Sequence, residues 1–266
     1  MTDDRFTAAH RGGGGEPLVC LHGLMDTWRT WELVLPALER RHDVLAPTLA
    51  GHAGGPPLPA EPTSAAVVDA VESAMDGAGF ATAHLVGNSL GGYVALRLAE
   101  RGRAVSVVAL APAGGWAVAD DAFEGSLMDE LRTVHQLVGD AAAHADEIVA
   151  TVEGRRRATE DTTVRFEHIP AGLLAHEIRA AAACSVEPLL ESASRDGWPL
   201  DPERIACPVR IVWGTADRVL PWPEAAARHR ERFPHADWAI LDDVGHAPQL
   251  DVPLETVELI LGFTAR

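Results

Sequence analysis

Short apolar runs alternate with segments of helical period along most of this chain, and that alternation confines it to one class of fold. The runs are PLVCLHG (17–23), DVLAP (43–47), ATAHLVG (81–87), AVSVVALAP (104–112), CPVRIVWG (207–214) and DWAIL (237–241). Between them lie stretches whose apolar residues recur on one helical face. Trp28, Trp31, Leu35 and Leu38 form one such set, with Pro36 starting or kinking its later part; Val67, Val68, Val71 and Met75 form another, with Thr63 as its expected N-cap. Near-continuous apolar strands separated by helices build a mainly parallel sheet covered on both faces, an α/β fold. Gly12 to Gly15 read as a flexible turn before the first run.

One region breaks the rhythm. From 114 to 197 the pattern is Ala-rich and helical throughout, with no strand signal. It reads as a helical insertion into a core made of 1–113 and 198–266. Placed at the carboxyl edge of a parallel sheet, it would lie over the crevice where such folds bind ligands and act as a lid. Its Leu127, Leu131, Leu137, Leu173 and Leu174 are candidates for an apolar pocket roof.

The strand 81–87 runs into Gly87-Asn88-Ser89-Leu90-Gly91, and a helical pattern follows up to Gly102. This is G-x-S-x-G in the strand–turn–helix context that a nucleophile elbow requires. Such a turn holds the serine in a strained conformation at a helix N-terminus, with Gly87 and Gly91 small so that strand and helix can approach. The N–H of Leu90 would face a developing oxyanion, aided by the helix dipole. An idle serine in a glycine-rich turn would leave the same trace, so the partners decide.

A serine hydroxyl attacks only when a base takes its proton, and the base needs an orienting acid. Asp217 lies just beyond the run 209–214, and His246 just beyond 238–241. Both fall at the edge of the sheet that carries Ser89, in the order acid then histidine. Either alone could be a capping acid or a solvated loop histidine. Asp242 and Asp243 are too near His246 in sequence to orient it easily across a loop, and Asp120 or Asp121 could supply the acid from the insertion instead. Because His246 must be neutral to act as base, activity is expected to fall in acid.

The loop HGLMDTW offers a second oxyanion donor, the N–H of Leu24 after Gly23. His22 and His52 are read as loop-packing histidines rather than bases. The histidines show no metal-ligand spacing, and neither GxGxxG nor GxxxxGK[ST] occurs, so no metal and no nucleotide cofactor is expected. Twenty-two Lys+Arg against 39 Asp+Glu leave a net charge of −17, which argues against nucleic acid and anionic membranes as partners. Cys20, Cys184 and Cys207 are dispersed, no signal segment is visible and no apolar run reaches the ~18 residues of a membrane span. A cytoplasmic protein with reduced thiols is expected.

Taken together, HG at 22–23, LAGHAGG at 49–55, GNSLGG at 87–92, WGTADRVLP at 213–221 and GHAPQLD at 245–251 resemble the α/β-hydrolase superfamily. The resemblance is closest to the branch of small esterases, haloperoxidase-like perhydrolases and meta-cleavage C–C hydrolases, and it spans all but the insertion. It implies an eight-stranded, mostly parallel sheet, a helical cap over 114–197, and a triad of Ser89, Asp217 and His246. The loop that usually reads D-x-P-G-H-G has Thr48, Ala50 and Ala53 here. Carboxylic-ester hydrolysis through an acyl-enzyme, on a small-molecule acyl substrate, is the first expectation. C–C bond hydrolysis, to which Asn88 before the serine is similar, comes second, and a non-catalytic ligand-binding member of the fold third. The serine makes haloalkane dehalogenation unexpected.

Overall fold

The computed structural model describes residues 6–115 and 122–265. Its strands are β1 (Ala9–Gly13), β2 (Glu16–Leu21), β3 (His42–Pro47), β4 (Ala83–Asn88), β5 (Ala104–Leu110), β6 (Val209–Gly214) and β7 (Asp237–Leu241). They form one seven-stranded sheet in the order β1-β3-β2-β4-β5-β6-β7. Every pairing is parallel except β1 with β3, which is antiparallel.

Two details correct the sequence reading. The described residues hold seven strands rather than eight; only Phe6, Thr7 and Ala8 precede β1 among them, fewer than the ~5–6 residues of an ordinary strand. Gly12 and Gly13 belong to β1 instead of a turn. This edge strand has little side chain to betray it: a Cβ on Gly12 would meet the Glu39 carboxylate at 2.5 Å, and Gly13 has φ +83°.

Period-2 alternation places the sheet between two cores. Val19, Leu21, Leu85, Val107, Ala109, Ile211 and Trp213 pack on one face with helices α2 (Ser64–Ala78) and α3 (Leu90–Glu100). Leu18, Cys20, Val86, Val108, Leu110 and Val212 pack on the other with α1 (Leu35–Leu38) and the C-terminal helix α11 (Pro253–Thr264). The Trp28–Leu38 segment is a 3-10 turn, Trp28–Trp31, followed by α1, with Pro36 in the first turn of that helix. Thr63 has the extended backbone of an N-cap, but its side chain makes no capping bond.

Between β5 and β6 the described residues hold only helices: α4 (Ala122–Ala141), α5 (Ala145–Val149), α6 (Val152–Thr159), α7 (Ala171–Ala182) and α8 (Val186–Asp196), with short 3-10 turns. A third apolar cluster joins this segment to the core. Val149, Ile169, Leu173 and Leu174 pack there with Ala247 and Leu250, beside His246 and in α10 (Pro248–Asp251). Helix α9 (Glu224–Arg232) links β6 to β7.

The chain leaves β2 for β3 on one side and returns to β4 on the other. This reversal makes the crevice beyond the carboxyl ends of β2 and β4 the favoured ligand site of an open α/β sheet.

Candidate active site

Ser89 stands at that reversal, between β4 and α3, with φ 54° and ψ −117°. A non-glycine residue there is strained, and the surrounding turn has to hold it. Close packing does so. A Cβ on Gly87 would lie 2.1 Å from the Gly91 carbonyl oxygen, and one on Gly91 would lie 2.1 Å from that of Leu21. Both positions therefore admit only glycine. The Ser89 N–H donates to the Leu110 carbonyl at 2.9 Å, and its own carbonyl accepts from Tyr93 and Ala113.

Asp217 follows β6. Its Oδ1 accepts from the N–H groups of Val219 (2.9 Å) and Leu220 (2.8 Å), which leaves Oδ2 to face His246. His246 Nδ1 lies 2.8 Å from that oxygen. The Asp217 side chain is fully buried and that of His246 is 6% exposed, so the pair is shielded from water. Gly214 makes the approach possible: a Cβ there would lie 2.1 Å from the Val244 carbonyl oxygen. Asp242 and Asp243 turn elsewhere, to Thr215 and Arg165. Asp120 and Asp121 lie outside the described residues.

The supporting roles of Asn88, Gln249 and Asp251 are not visible in the sequence. Asn88 donates from Nδ2 to the carbonyls of Leu110 (3.1 Å) and His246 (2.8 Å), and its Oδ1 accepts from Gln249 Nε2 at 3.1 Å. Gln249 also reaches Thr30 Oγ1 at 3.2 Å. Asp251 is buried and accepts from three backbone N–H groups: Gly245 (2.7 Å), Val164 (3.0 Å) and Arg165 (2.7 Å). It ties the histidine loop to the segment between α6 and α7. Side chains bonded to main-chain atoms far along the chain leave no pattern in sequence.

The loop after β2 passes beside the serine; a Cβ on Gly23 would be 3.5 Å from Ser89 Cβ. Leu24 follows, and Met25 takes φ 65°. Leu90 opens α3, so its N–H has no earlier carbonyl of that helix to bond. His22 Nε2 accepts from the Leu49 N–H at 2.9 Å, which leaves Nδ1 to donate to the Gly23 carbonyl at 2.7 Å. Burial, reinforced by His52, holds His22 well below the usual histidine range. His52 bonds the Ala50 carbonyl, packs edge-on against His22, and is pushed down to about 4 by burial. Both histidines thus brace loops.

Ser89 and His246 open into one cavity of about 250 Å³. Leu24, Met25, Leu127, Leu131, Leu174 and Ile178 give it apolar walls, while Leu137 is exposed and Leu173 packs in the third core cluster. Asp26 and Glu177 line the same cavity, and no motif or spacing marks them for it. Burial raises Asp26 to about 7 against the opposing bonds from Thr27 and Thr30. Burial first, then the charges of Asp26 and Glu32, raise Glu177 well above the carboxylate range, opposed by Arg29. Arg157 reaches the cavity rim and bonds Glu153, while Arg179 pairs with Asp146. Among the described residues no group of three His, Cys, Asp or Glu side chains is arranged to hold a metal, and no helix is long and apolar enough to cross a membrane.

A family model described as "Alpha/beta hydrolase family" matches residues 18–259. Epoxide hydrolase EphH of Mycobacterium tuberculosis is 32% identical over 214 residues, covering 76% of this chain and 94% of that protein. The pimeloyl-[acyl-carrier protein] methyl ester esterase of Aeromonas hydrophila is 29% identical over 266 residues, covering 96% and 98%. Among solved structures, the 2-hydroxy-6-oxo-6-phenylhexa-2,4-dienoate hydrolase of Rhodococcus superposes with a TM-score of 0.73 at 20% identity, covering 99% of this chain and 98% of that one.

Proposed function

The chain belongs to the alpha/beta hydrolase family, and we propose that within it the protein is a serine hydrolase of small carboxylic esters or related acyl compounds. The observation that carries this reading is the opening of Ser89, in its strained turn, and of the buried Asp217–His246 pair into one cavity. His246 takes the proton of Ser89, whose Oγ attacks the acyl carbon. The N–H groups of Leu24 and Leu90 stabilise the oxyanion, a contribution of about 2.7–4 kcal/mol for each such donor. His246 then passes the proton to the leaving group, and water, activated by the same imidazole, releases the acid. Asp217 fixes the ring and stabilises its cation.

The identity of the nucleophile argues for acyl chemistry over the reaction named for EphH. A serine oxygen that opened an epoxide would be left as an ether, which water and a histidine do not cleave. A serine that attacks an ester becomes an ester, which they do. The substrate named for the Rhodococcus enzyme is a carboxylate. This cavity is lined by Asp26, Glu130, Asp161 and Glu177 beside two guanidiniums, Arg157 and Arg218, so it holds no excess of cations to bind such an anion, which places C–C hydrolysis of such a dienoate second.

Residues 114–197 act as the cap of a core made of 1–113 and 198–266. Helices α4 and α7 supply the cavity's far wall, which supports that division. Buried, unpaired Cys20 and Cys184 suit a reducing cytoplasm. A panel of 4-nitrophenyl esters of increasing acyl length tests the reading. Turnover with an initial burst of nitrophenolate equal to the enzyme supports it; absence of turnover on every ester would leave a ligand-binding member of the fold.

A further inference from the structure

We propose that Asp26 and Glu177 form a recognition subsite for an ammonium group, so that the preferred ligand of the Ser89 cavity carries a protonated amine on an apolar chain. The two carboxyls come from separate parts of the fold. Asp26 sits in the loop after β2, three residues beyond Gly23, and its Oδ1 accepts from the Thr27 N–H at 2.7 Å. Glu177 lies within α7 of the insertion. Its Oε1 is fully enclosed and has no hydrogen-bond partner, a costly condition for a carboxyl oxygen.

Among the described residues the cation acting on Glu177 is Arg29, and Arg157 and Arg218 line the same cavity. Arg29 is held by both oxygens of Glu32. Glu32 adds a further negative charge facing Glu177. At the rim, Arg157 bonds Glu153. The two raised carboxyls described above are the expected response of buried acids, with Asp26 and Glu32 adding to the shift of Glu177 and Arg29 opposing it.

An ammonium group suits both carboxyls. It brings a positive charge, and its three N–H donors can reach both Asp26 and Glu177. Leu131, Val134, Leu174 and Ile178 line the same cavity and would cover the attached methylenes. A neutral hydroxyl has a single donor and no charge. A hard metal ion would need about six oxygen ligands, more than this pair offers.

The inference rests on the proposed hydrolase for its chemistry, but binding can be measured without turnover. Hexylammonium and 1-hexanol, of equal chain length, are titrated calorimetrically into the wild type, Glu177→Gln and Asp26→Asn, with thermal melting as a check of folding. The expected result is at least tenfold tighter binding of hexylammonium than of hexanol to the wild type. Each variant should lose most of that preference while still binding hexanol. Equal affinity for the two probes in the wild type would overturn the proposal, as would a preference unchanged in both folded variants. Hexylammonium preference in a protein that hydrolyses no ester would sustain the subsite while removing the hydrolase reading.

Discussion

Asn88 Nδ2 donates a 2.8 Å hydrogen bond to the main-chain carbonyl of His246, so the residue before the serine holds the loop that carries the histidine. Through Gln249 and Thr30 the same network reaches the neighbourhood of Asp26 on the β2 side of the crevice. Serine and histidine are thus registered through buried polar contacts.

Asn88→Ala is expected to lower kcat by about 10–100-fold, the loss associated with an ~1 Å misplacement of a catalytic group. KM for a short aryl ester should change little. Melting temperature should fall as well, because Gln249 Nε2 loses an acceptor in a buried site. Steady-state kinetics beside a thermal melt separates the effects; unchanged kcat in a folded variant would show that the contact only supports packing.

Asp251 places one carboxylate on three main-chain N–H groups of two segments. Asp251→Ala leaves those donors without an acceptor, that of Gly245 in a buried site, and about 3 kcal/mol of stability should be lost. Urea unfolding measures it. A loss below about 0.5 kcal/mol, the range of an ordinary surface substitution, would contradict this role.

His229 is buried against Trp213 and Phe233, and burial lowers it to about 4 from a free value of 6.5. Below pH 6.5 the unfolded chain takes up a proton that the folded chain refuses. Stability is therefore full above 6.5, declines as pH falls toward 4 and levels off below it, by about 1.4 kcal/mol per pH unit within the window. His229→Phe should make the fall in melting temperature between pH 6.5 and 4.5 shallower. An identical slope in both proteins would contradict a neutral buried imidazole.

The parallel sheet was legible because strands buried on both faces must be apolar, as in PLVCL and VRIVW. The ends of β4, β6 and β7 followed from those runs, and Ser89, Asp217 and His246 lie just beyond them. Edge strand β1 was hidden, since its glycines carry no pattern. Asn88 and Asp251 were hidden for another reason: their partners include main-chain groups up to 158 residues away, and the main chain is the same whatever the sequence. Glu177 looked like one more acid on a helix until the fold turned it toward the cavity.

Reaction with a fluorophosphonate, followed by peptide mass spectrometry, tests the nucleophile most directly. The account predicts one phosphonyl group per chain, on Ser89, with no labelling of Ser89→Ala and labelling at least about 10³-fold slower in His246→Gln. An unlabelled wild type, or equal labelling of wild type and Ser89→Ala, would contradict it.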